Sequence, residues 1–148
     1  MKARNKNRAL RIAVAAAVGL AALTIYALQP ALSSTATDQK VIASSTSNGF
    51  RVLVTAYKGG DSEMPTATVK IAAFERNDGE WVELGSALRI GARDGWFWHV
   101  VTGPHSVQDF CLSTDVPERV SIRLLITPSL GWSDLYRFHV VGGTLVRG

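Results

Sequence analysis

Gly95-Trp96-Phe97-Trp98-His99-Val100-Val101 is the most apolar run downstream of the N-terminal leader. A period of two puts Trp96, Trp98 and Val100 on one face and Phe97, His99 and Val101 on the other, so neither face is plainly the wet one. A short run that is apolar on both faces reads as a central strand. The rest of the chain reads as strands and turns arranged around it.

Working outward, Phe50, Val52, Val54 and Ala56 alternate with Arg51, Thr55 and Tyr57 as a first strand. Lys58 to Pro65 follows as a loop, because it holds paired glycines and a proline. Ala67, Val69, Ile71 and Ala73 are the inward set of a second strand, which Asn77-Asp78-Gly79 reverses into Glu80 to Leu84. Leu88 and Ile90 form a short strand before the tryptophan run. Beyond Pro104 come Val107 to Thr114 and then Arg119 to Thr127, which has the clearest alternation in the chain: Val120, Ile122, Leu124 and Ile126 in, Arg119, Ser121 and Arg123 out. Trp132 to Val141 sends Tyr136, Phe138 and Val140 inward, and Gly142-Gly143 folds it onto Thr144 to Val146.

Short strands separated by frequent turns, with no helical periodicity after the leader, predict an all-β fold: a single antiparallel β-sandwich. It resembles immunoglobulin-like and fibronectin-like domains in architecture only, since the paired cysteines of antibody domains are absent. The only cysteine, Cys111, has no partner for an internal disulfide, and its place in a strand-like run suggests burial as a small hydrophobe, with an intermolecular bridge as the alternative.

The 148 residues carry a formal charge of +4. Lys2, Arg4, Lys6, Arg8 and Arg11 all precede the first apolar run, and sixteen basic residues less these five leave eleven against twelve acidic. Positive charge therefore belongs to the leader, and nucleic-acid binding, which needs it clustered on the domain, is not expected. Basic residues, the uncharged run Ile12 to Leu28 and the small residues Ala31 and Ser33 follow the order of a secretory signal. As a helix that run would span about 25 Å, against a hydrocarbon core of about 30 Å. Residues 1–33 are thus read as a signal peptide, or else as an uncleaved N-terminal hydrophobic anchor helix; 34–48 as a flexible polar tether; and 49–148 as the domain. The positive-inside rule puts the domain outside, secreted or membrane-anchored.

Sites are scarce. The sequence has no nucleophile elbow, zinc-protease motif, phosphate-binding glycine loop or EF-hand spacing, so neither catalysis, cofactor nor metal is expected. His99, His105 and His139 lie at no ligand spacing. Asp61 and Glu63 in one loop, with Asp78 and Glu80 in another, would offer oxygen ligands to calcium only if the two loops met. The remaining candidates are Trp81, Trp96, Trp98 and Trp132, each able to bury about 150 to 250 Å². Exposed together they would form an aromatic patch for stacking sugar rings or anchoring a partner. The sequence therefore suggests a non-catalytic binding or cell-envelope interaction module, whose partner is an envelope protein or polysaccharide. A carbohydrate-binding module, or an enzyme whose site is assembled only in the fold, is the alternative.

Overall fold

The computed structural model describes residues 38–148, and the leader read as signal or anchor lies outside them. The described chain is mostly β-strand, in two antiparallel sheets, with a single helical turn. In order, the strands are β1 (Gln39–Ser47), β2 (Phe50–Gly60), β3 (Pro65–Asn77), β4 (Glu80–Glu83), β5 (Leu88–Ile90) and β6 (Trp96–Phe97). The helical turn α1 (Trp98–Val101) follows, then β7 (Val107–Ser113), β8 (Arg119–Thr127), β9 (Gly131–Trp132), β10 (Tyr136–Val141) and β11 (Thr144–Arg147).

The first sheet is built on β3. One edge of β3 pairs with β2 from Phe50↔Glu75 to Gly60↔Pro65. Its other edge is covered in succession by β4, β5 and β6. The second sheet runs β11-β10-β8-β7, with β9 beside β8. The expected inward sets are the buried ones: Phe50, Val52, Val54 and Ala56 from β2, Ala67, Val69, Ile71 and Ala73 from β3, Val120, Ile122 and Leu124 from β8. With Phe138 and Leu145 they form one hydrophobic cluster drawn from both sheets. Main-chain bonds stitch the sheets along one side, where Leu84 N–H donates to the Ala73 carbonyl and the Leu84 carbonyl accepts from Leu145 N–H at 3.0 Å.

Turn chemistry sets the register. Asp78 and Gly79 both take positive φ, as does Gly142-Gly143, matching the two-residue hairpins expected at those dipeptides. The Lys58 to Pro65 segment departs from the loop reading. Its ladder continues through Gly59 and Gly60, and only Asp61 to Met64 forms the loop. At Gly59 a Cβ would collide with the Asp94 carboxylate, so the glycine is there for close approach, not for breaking the strand.

Two further expectations are corrected. Residues 39–47, read as tether, are β1, paired to β2 across Asn48-Gly49, whose positive φ values make another tight hairpin. The run is polar because β1 is an edge strand with only partial burial. The tryptophan run is not a central strand either. Only Trp96 and Phe97 pair with β3, and the chain then coils into α1, where Thr102 N–H and Oγ1 both donate to the Trp98 carbonyl. An apolar run this short fits a strand or a helical turn equally well by period alone. Here Trp98 and Val101, three apart, share the inward side, with Val101 fully buried and Trp98 packed on the core. Trp96 is buried, its indole N–H donating to the Ile90 carbonyl at 2.9 Å.

These placements predict unequal costs in one dipeptide. Trp96→Ala should lose about 3 to 5 kcal/mol of stability, and Phe97→Ala less than about 1 kcal/mol; chemical denaturation with equal losses would contradict the pairing of β6. A chain starting at Asp38 is expected to fold, and one starting at Phe50 to aggregate, because β2 would then expose an unpaired edge. Size-exclusion chromatography and circular dichroism separate the two outcomes.

Candidate functional site

The tryptophans are not brought together. Trp81 pairs with Arg76 and Trp96 with Ala67, which are about 30 Å apart along β3 at roughly 3.3 Å per residue. Trp81 lies under the Arg51 guanidinium at 5.5 Å and Trp98 under the Lys58 ammonium at 6.0 Å, so cations occupy both rings. Trp96 sits edge-on to Tyr136 in the core. Trp132, opposite Leu125 on β9, is the exposed one.

The acidic loops also stay apart. Asp61 and Glu63 belong to the β2–β3 loop, whereas Asp78 and Glu80 lie in the turn at the opposite end of β3. The Asp61 carboxylate accepts the Met64 and Glu63 N–H groups at 2.7 and 3.1 Å, closing its own loop. Among the described residues no cluster of three metal-ligating side chains forms. His99 is in α1, His105 in a turn with positive φ, and His139 in β10.

A hollow of about 550 Å³ lies elsewhere, on the outward face of the second sheet. Its floor is two rows across three strands. Cys111 lies beside Ser121, which lies beside Arg137; Ser113 lies beside Arg119, which lies beside His139. Antiparallel pairing puts Arg119 and Arg137 on a diagonal, about 7 to 8 Å apart at their bases. Neither guanidinium has a carboxylate within salt-bridge distance among the described residues. The next arginine along β8, Arg123, is matched: its Nε lies 3.1 Å from the Asp109 carboxylate, a charge contact off the line of a hydrogen bond. A bulge in β7 makes that contact, as Asp109 takes positive φ and its carbonyl accepts the Ser121 hydroxyl at 3.2 Å.

Cys111 corrects a sequence expectation, because the thiol is exposed on this floor. Alternation along β7 sets Cys111 opposite Phe110 and Leu112, which pack on the core. The burial preference of cysteine as a residue type points the other way and loses. The arrangement offers two guanidinium forks and an imidazole around a shallow hollow, whose Ser121 and Ser113 hydroxyls already donate to the Asp109 carbonyl and the Asp115 carboxylate. It has the parts to hold an anion.

Among the described residues no helix is long and apolar enough to cross a membrane. Comparison with protein-family models, curated proteins and solved structures gives no match.

The exposed thiol yields a direct check. Cys111 should react stoichiometrically with an aromatic disulfide reagent in the native protein; protection until denaturant is added would return the residue to the core.

Proposed function

We propose that this chain is a non-catalytic extracytoplasmic binding module of the cell envelope, folded as a β-sandwich, whose ligand is an acidic polysaccharide held on the outward face of the second sheet. The observation that carries the reading is the pair Arg119 and Arg137. They flank His139 over a hollow of about 550 Å³ and have no acidic partner among the described residues. Arg123, on the same strand as Arg119, is matched by the Asp109 carboxylate at 3.1 Å, whereas Arg119 and Arg137 have none within salt-bridge distance among the described residues. Two unmatched forks at diagonal spacing suit ligand groups that repeat along a polymer, such as uronates or phosphodiesters. Export is supported by the order of the leader: five basic residues, an uncharged apolar run, then small residues. The sandwich is supported by the shared hydrophobic cluster of the two sheets.

Each charged hydrogen bond lost should cost about 1.5 to 3 kcal/mol, or roughly tenfold or more in affinity. Calorimetry with poly(glycerol phosphate), a uronate oligosaccharide and a neutral glucan tests the reading. At least one anionic polymer should bind with strong salt dependence, and Arg119→Ala with Arg137→Ala should abolish it without loss of thermal stability. Binding of the neutral glucan alone, lost on Trp132→Ala, would replace the arginine site with aromatic stacking. No binding by any of the three would defeat both.

A further inference from the structure

Nine large apolar side chains are exposed among the described residues, and they are unevenly placed. Met64 at 67%, Phe97 at 45%, Leu130 at 71% and Trp132 at 36% gather at one end of the two sheets. Phe97 pairs with Thr66, next to the Met64 loop, and Phe97 and Met64 line a hollow with Glu63, Val100 and Pro128. Leu130 belongs to the turn that starts there, its N–H donating to Thr127 Oγ1 at 3.0 Å. Four separate loops and strand ends thus project apolar tips in the same region, together on the order of a few hundred Å², the size at which exposed patches mark interaction sites.

The opposite end exposes smaller apolar side chains, Val82, Val116 and Val141, and more carboxylates. Glu75, Asp78, Glu80, Glu83, Asp115 and Glu118 lie there, half of the twelve acidic residues in the chain. At the apolar end Asp61 bonds the Met64 N–H on its own loop and Asp94 is held by Thr68, while Glu63 lines the hollow beside Met64. Half-buried Trp98 lies under Lys58 there, an aromatic and a snorkelling cation of the type that settles at a lipid headgroup boundary.

The chain also joins the domain at this end. Asp38, the first described residue, accepts the Lys58 N–H at 2.7 Å, and Gln39 pairs with Tyr57. Residues 29–37 separate Leu28, the last residue of the uncharged run, from Asp38, and nine residues span at most about 30 Å even when fully extended.

We infer that the end formed by Met64, Phe97, Leu130 and Trp132 is a docking surface for a lipid bilayer, into whose headgroup layer these side chains insert. The inference uses the export reading only to say which bilayer is at hand. Apolar insertion, not charge, provides the binding, so contact is insensitive to salt and to anionic lipid. The acidic end then points away from the bilayer, and the arginine face stands at its side, open to a polymer.

The test uses residues 38–148, which hold their whole hydrophobic cluster, tethered by an N-terminal histidine tag to phosphatidylcholine vesicles containing nickel-chelating and dibrominated lipid. Bromine quenches tryptophan at contact range, and Trp98 and Trp132 lie at the proposed surface whereas Trp81 lies far from it. The expected result is quenching and a blue shift that persist in high salt. Met64→Ser, Phe97→Ser and Leu130→Ser combined should return emission to its value on vesicles without bromine, and Val82→Ser with Val116→Ser, at the acidic end, should leave the quenching unchanged. Unquenched emission from the tethered parent, or equal quenching in both variants, overturns the inference. Export is scored separately, by a periplasm-dependent reporter at the C-terminus of the full chain; a quenched domain on a chain that is not exported removes the export reading and leaves the surface standing.

Discussion

The structure depends on the antiparallel pairing of β2 with β3. From Phe50↔Glu75 to Gly60↔Pro65 the two strands stay in register without a bulge, so three inward residues of β2 meet inward residues of β3: Val52 with Ala73, Val54 with Ile71, Ala56 with Val69. A slip of one residue would turn all of these to solvent, so burial itself fixes the register. On its free edge β3 then templates β4, β5 and β6, with Leu84 passing the hydrogen-bond network on to β11 of the second sheet. The breaks between those short strands are built in. At Gly91, with positive φ, a Cβ would lie 2.9 Å from the Trp96 ring, so the glycine admits the indole that seals this edge.

What could be read from the sequence follows from how local each signal is. Alternation over Phe50–Ala56, Ala67–Ala73 and Val120–Leu124 identified the buried faces because a half-buried strand writes its period directly into the chain. Asp78-Gly79 and Gly142-Gly143 located hairpins because their positive φ values exclude most other residues. Asn48-Gly49 carries the same signal, and attention to it would have exposed β1, which composition alone presented as a tether. The Trp96 to Val101 run failed for the opposite reason. With both faces apolar its period carried no information, and the choice fell to tertiary contacts: a buried slot for Trp96 beside Ile90 and a core facing Val101.

The candidate site was far less legible. Arg119, Arg137, His139 and Cys111 are ordinary outward residues of three strands, and no spacing in the chain links them. Strand order and register make them neighbours, and neither can be derived from alternation. The tryptophans, chosen for residue type, were dispersed by the same topology. Residue type predicts the size of a contact and says nothing about which other residues share it.

The difference between the two ends of the sheets has its origin in turn chemistry. Asn48-Gly49, Asp78-Gly79 and Gly142-Gly143 all reverse the chain at the acidic end. A two-residue hairpin with positive φ at both positions admits only small or polar residues, so the apolar side chains exposed at that end, Val82, Val116 and Val141, lie outside those turn positions. At the other end the connections Asp61 to Met64, Gly91 to Gly95, Thr102 to Ser106 and Pro128 to Leu130 are all longer than two residues, as is Thr114 to Glu118 at the acidic end. Such loops satisfy their own backbone, as Asp61 and Thr127 do with side-chain acceptors for Met64 and Leu130 N–H. That leaves the side chains of Met64 and Leu130 with no role in holding their turns. Large apolar groups relieved of a structural task, in loops that carry their own hydrogen bonds, are where a scaffold of this kind has room to place a contact surface. The tight end fixes register and the loose end presents side chains.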